Sequence, residues 1–169
     1  MKFKGMIIML VVLLAGMTAS AQYRTDAVYD DLYDGETVSA LKMHVRELSS
    51  AHLEGRKPGS EGEKEAAEYV EAKFKEYGID VISPKGGEVF GIKTEDGDTL
   101  VSRNVIGYVQ GYDRDLRNSY IVVGARLDNL GTMTVTVDGQ PVERIFYGAN
   151  GNASGLSVLI ELARMVQTN

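Results

Sequence analysis

Along the chain the spacing of apolar positions runs from helical to alternating and back to helical. In "TVSALKMHVRELSSAHL", which begins at Thr37, residues Leu41, Val45 and Leu48 recur at helical intervals, and Thr37 is placed to cap a helix of about three turns. "EGRKPGSEG" breaks that helix with Pro58 and its glycines. A second helix is predicted in "SEGEKEAAEYVEAKFKEYG", where Ser60 and Glu63 form a capping box, Ala66, Val70, Phe74 and Tyr77 make the buried stripe, and Gly78 ends it. Beyond Gly78 the period falls to two. "IDVI", "GEVFGIK", "VSRNVIGYVQG", "SYIVVGARL", "TMTVTV" and "ERIFYG" read as short strands, the second and third joined by the turn-like "TEDGDT". Val122 and Val123 lie in a continuous apolar run, which predicts a central strand covered on both faces.

The pattern closes with "GLSVLIELARMVQTN", a helix with Leu156, Leu159, Ala163 and Val166 on one face. Helices on either side of a run of strands make a layered α/β domain over residues 37–169. A buried central strand needs neighbours on both sides, and no strand follows the last helix; the expectation is the front part of a larger fold.

The first 36 residues have a different texture. "MKFKGMIIMLVVLLAGMTASAQ" combines two lysines, an apolar stretch from Met6 to Ala15, and the small residues Ala19, Ser20 and Ala21. That order predicts a secretory signal peptide over residues 1–21, cleaved after Ala21, and a mature protein exported to a bacterial periplasm or the extracellular space. The apolar stretch is short for a membrane span, so no stable anchor is expected after cleavage. "QYRTDAVYDDLYDGE", residues 22–36, is an acidic Tyr/Asp arm without a clear period, read as lying on the domain.

Composition narrows the chemistry. The chain has no cysteine, which removes disulfides, thiolate metal sites and cysteine nucleophiles. Its formal charge of −6 becomes −8 without Lys2 and Lys4, and no basic cluster offsets it, so nucleic acid and anionic membrane surfaces are poor partners and a cationic or neutral one fits better, a peptide or protein ligand being compatible with that. His44 and His52 have no linking carboxylate motif and read as ordinary surface or half-buried histidines. Asn152-Ala153-Ser154 matches a glycosylation acceptor formally but sits where a helix begins, so Asn152 or Ser154 is read as its cap. Ser154 is not in a G-x-S-x-G elbow, because Asn152 stands two residues before it.

Three stretches taken together say more than any one residue. "EGRKPGSEGEKEAAEYVEAKFKEYGID", "SRNVIGYVQGYDRDLRNSYIVVGARLDNLG" and "YGANGNASGLSVLIELAR" follow one another in an order that resembles the M28 family of zinc-dependent aminopeptidases, from about Thr37 to Asn169. The resemblance implies a three-layer α/β/α sandwich with a mixed sheet, zinc-exopeptidase-like and incomplete at the C-terminus. It also implies two zinc ions at the carboxyl ends of central strands. Family members carry G-A-H-x-D at the end of one strand, where the histidine binds zinc and the aspartate steadies it. They carry G-A-D-D-N-A-S-G before the following helix, where the second aspartate bridges both metals. A glutamate pair, another acidic ligand and a last histidine would lie beyond Asn169.

This chain departs from both motifs. Arg126 stands at the histidine position, Asp128 is retained, and Gly151 stands at the bridging position, flanked by Asn150 and Asn152. An immobile guanidinium ~4 Å from a dication at an effective dielectric of ~20 would oppose binding by about 8 kcal/mol. That is a large part of the roughly 10–16 kcal/mol that structural zinc sites supply. The expectation is therefore no zinc in this chain, with Arg126 taking the place of the cation and holding Asp128 by a charge-assisted hydrogen bond. Two functions are compatible with this. One is an exported M28-like protein with impaired catalysis. The alternative is an active zinc-dependent exopeptidase, releasing N-terminal residues from peptides and completed by sequence beyond Asn169 or by a second chain.

Overall fold

A computed structural model describes residues 35–82 and 88–168. The predicted signal peptide and nearly all of the acidic arm lie outside the described residues. The chain divides into two units, Met1–Ser39 and Ala40–Asn169, and the second contains every strand and the hydrophobic core. Among the described residues no helix is long and apolar enough to cross a membrane.

The elements in order are α1 (Glu36–Leu48), a 3-10 turn (Ala51–Leu53), α2 (Glu61–Glu76), β1 (Asp80–Val81), β2 (Glu88–Lys93), β3 (Thr99–Asn104), β4 (Gly107–Tyr108), β5 (Gly131–Val137), β6 (Gln140–Phe146), a π-type turn (Ala149–Ala153) and α3 (Ser154–Thr168). The class is mixed α/β. The strands form three antiparallel pairs, β1 with β4, β2 with β3, and β5 with β6. The two longer pairs are hairpins set by local turn chemistry. Asp138 and Gly139, both at positive φ (50° and 77°), make the two-residue β5–β6 turn, and the β2–β3 turn closes with Thr94 N–H donating to Asp98 O at 2.9 Å.

α2 starts as its sequence predicts. Ser60 accepts the Glu63 N–H at 3.2 Å, and the Glu63 carboxylate turns back to accept the Gly59 N–H at 2.5 Å. Its other oxygen takes the hydroxyl of Ser102 on β3 at 2.6 Å, so one buried carboxylate both caps the helix and ties it to a strand. Ala66, Val70 and Phe74 then face the core with Leu48, Leu53, Ile79, Ala153, Leu156 and Ile160, and Tyr77 packs at its margin. Val105, Val109, Ala125 and Leu127 pack against it from the chain between β3 and β5.

Three expectations change. "SYIVVGARL" forms no strand: residues 119–130 are irregular, and Ile121 and Val122 are 94% and 90% exposed. An apolar run becomes a buried strand only where neighbours pair with it, and none of the three strand pairs includes this stretch. The buried face of α3 is Leu156, Ser157, Ile160 and Glu161, with Leu159 and Ala163 half-covered and Val166 exposed, because a partnered Glu161 occupies a position that a purely apolar stripe would not admit. Thr37 falls inside the first turn of α1, which begins at Glu36.

α2 also approaches the 3-10 turn so closely that a Cβ at Gly62 would overlap the carbonyl of Leu53. Gly62→Ala should lower the free energy of urea unfolding by about 2 kcal/mol or more, since the obstacle is backbone and cannot rotate away.

Candidate functional site

The stretches "GARLDN" and "GANGNASG" come together around one buried side chain, Arg56. The chain reaches it through Glu54, Gly55 and Arg56, all at positive φ (47°, 70° and 51°). For Glu54 and Arg56 that region is unfavourable, so the turn persists only because its surroundings fix it. Gly55 O accepts from Gly131 N–H and Arg56 O accepts from Asn129 N–H, both at 2.9 Å. No larger residue fits at Gly55, where a Cβ would stand 2.6 Å from the carbonyl oxygens of Gly131 and Phe146.

From this turn the fully buried guanidinium of Arg56 fans out to main-chain carbonyls. It donates to Leu127 O at 3.0 Å, to Tyr147 O at 3.1 Å, to Gly148 O at 3.2 Å and to Leu48 O. Asn129 adds a second tie, its side-chain amide donating to Phe146 O at 2.6 Å. Gly148, at φ 64°, is enclosed by Asn129 and the Arg56 guanidinium. Beside it the Asn152 amide donates to Arg126 O at 3.2 Å, joining the two motifs across 26 residues. The Gly151–Asn152 peptide is cis.

Arg126 and Asp128 do meet, with Nε 3.5 Å from Oδ1. That is an ion pair, longer than the charge-assisted hydrogen bond expected from the sequence. Their side chains are 62% and 36% exposed, so the pair contributes little to stability. Burial holds the Arg56 pKa below its ordinary value, Asp128 pulls it up, and Arg126 pushes it down. Asp128 is thus within electrostatic reach of two guanidinium groups, one in water and one buried.

Asn150 and Gly151 follow on the turn, and neither brings a charge. Neither Asn152 nor Ser154 acts as the expected cap: Asn152 directs its amide to Arg126, and Ser154 already has helical geometry (φ −61°, ψ −45°). His44 and His52 lie elsewhere. His52 is exposed beside Glu47 at 3.4 Å, as expected, whereas His44 is fully buried, because Tyr69 and Glu161 satisfy both ring nitrogens. Nothing in the sequence pattern marks Arg56 or Asn129. A single arginine in a Gly-rich turn has no periodicity, and only the meeting of distant carbonyls reveals its role.

No family model, curated protein or solved structure matches the chain.

The zinc implied by the M28 resemblance does not fit these side chains. Arg126 offers no lone pair, Gly151 has no side chain, Asn150 and Asn152 bring no charge, and Asp128 is the one carboxylate among the five positions. Among the described residues no three His, Cys, Asp or Glu side chains cluster in a way that could hold a metal ion. The exposed Arg126 can swing away, so its repulsion of a dication is smaller than the value for an immobile group.

Two substitutions separate scaffold from surface. Arg126→Ala should change unfolding free energy by less than about 1 kcal/mol. Gly148→Ala, which drives a Cβ into Asn129 and Arg56 at a positive φ, should cost more than about 1 kcal/mol by denaturant titration.

Proposed function

We propose that this chain is an exported M28-like protein of the α/β/α zinc-exopeptidase architecture, impaired in catalysis and acting through a peptide or protein ligand. The observation that carries the reading is the juxtaposition of "GARLD" with "GANGNASG". In the family those motifs converge to share metals. Here the same two stretches meet through the Asn152 bond to Arg126 O and through Arg56, whose donors reach Leu127 on one side and Tyr147 and Gly148 on the other.

The chemistry at the meeting point supports binding in preference to hydrolysis. Hydrolysis by the family's route needs a polarised water held between metals. The groups present instead are an exposed guanidinium, the carboxylate it pairs with and neutral amides, which suit hydrogen bonding to a peptide backbone or terminus. The exposed run Tyr120–Val123 leads into this region from the same segment.

The test is zinc content together with aminopeptidase activity. Purified mature chain dialysed against zinc should retain substoichiometric metal and turn over none of a panel of aminoacyl anilides, while unfolding cooperatively. Stoichiometric zinc with turnover abolished by a chelator would overturn the reading and favour an active exopeptidase.

A further inference from the structure

Away from that site, His44 lies where three helices meet. It is fully buried on α1; its Nδ1 is 2.6 Å from the Tyr69 hydroxyl of α2, and its Nε2 is 3.3 Å from Glu161 Oε1 of α3. The other Glu161 oxygen accepts both Nε and Nη2 of Arg164, at 3.0 and 2.9 Å. A carboxylate only accepts, so Nε2 carries a hydrogen and donates it; Nδ1 is then the acceptor for the Tyr69 O–H. In this neutral tautomer both ring nitrogens, the phenol hydrogen and both Glu161 oxygens are used.

We propose that His44 is an acid-sensitive latch: neutral, it ties α1 to both α2 and α3, and protonated, it reverses its bond to Tyr69 and loosens α1 from α2. Protonation places a second hydrogen on Nδ1, facing the phenol hydrogen. Tyr69 cannot yield its own proton instead, because burial raises its pKa to about 12. The phenol must rotate, its hydrogen loses the Nδ1 acceptor, and a cation now sits in the interior.

Charged and titratable groups surround the ring and its two partners from every element packed there. Tyr69, Lys73 and Glu76 of α2 and Glu161 of α3 act on His44 itself; Glu47 of α1 and Tyr77 of α2 act on Tyr69, and Arg164 of α3 holds Glu161. Burial lowers the His44 pKa and Lys73 adds to the effect, against the opposing pull of Glu161 and Glu76. Because folding lowers this pKa, the unfolded chain takes up the proton first as pH falls through about 6.5. The stabilisation is complete above that pH and is lost below it until the folded protein also protonates.

The experiment uses the full chain with His52→Gln, which removes the contact with Glu47 and leaves one histidine to observe. Hydrogen exchange of α1 amides from Ala40 onward, corrected for intrinsic rates, should quicken at least about threefold between pH 7.5 and 5.5. The same amides in the His44→Gln variant of that chain should show no such change. An NMR titration of the His44 ring should give a midpoint below 6.5, which decides the matter even if His44→Gln fails to fold. Equal acid responses with and without His44, or a midpoint at or above 6.5, would overturn the latch.

Discussion

A buried guanidinium on a left-handed turn is the constraint on which the rest of this structure depends. Arg56 is out of water and, among the described residues, has no carboxylate in hydrogen-bond contact, so its charge is compensated by main-chain carbonyl dipoles and, at longer range, by Asp128. The four carbonyls it takes come from three parts of the chain: the end of α1, the irregular segment before β5, and, for two of them, the loop after β6. The segment before β5 and the loop after β6 lie outside the strand pairs. The side chain ties them to one another and to the end of α1, fixing their mutual position.

That arrangement bears on the site directly. The side chain that binds Leu127 O and Gly148 O also places a positive charge within reach of Asp128, so the carboxylate is flanked by cations before any ligand arrives. Arg126 adds a second from the solvent side. A site built this way presents hydrogen-bond donors and one paired carboxylate. The proposed binding function thus rests on the same contacts that hold the fold.

Legibility in the sequence followed the range of the interaction. The capping of α2 by Ser60 and Glu63, its Ala66–Val70–Phe74 stripe, and the turn across "TEDGDT" are set by neighbours within a few residues, and each was readable. The pairing of Arg126 with Asp128 was readable for the same reason, although its length and exposure were not. What escaped depends on remote partners. His44 is buried because Tyr69 and Glu161, 25 and 117 residues away, satisfy its ring. Ile121 and Val122 have the composition of a central strand but no paired neighbour, and composition alone does not supply one.

The most direct measurement is the unfolding free energy of Arg56→Met against wild type in urea. Removing the guanidinium leaves the carbonyls of Leu48, Leu127, Tyr147 and Gly148 without this donor, at roughly 1–3 kcal/mol for each that stays buried and unsatisfied. The account predicts a loss of at least about 3 kcal/mol. A variant within about 1 kcal/mol of wild type would contradict it, because the two motifs would then be held together by something other than Arg56.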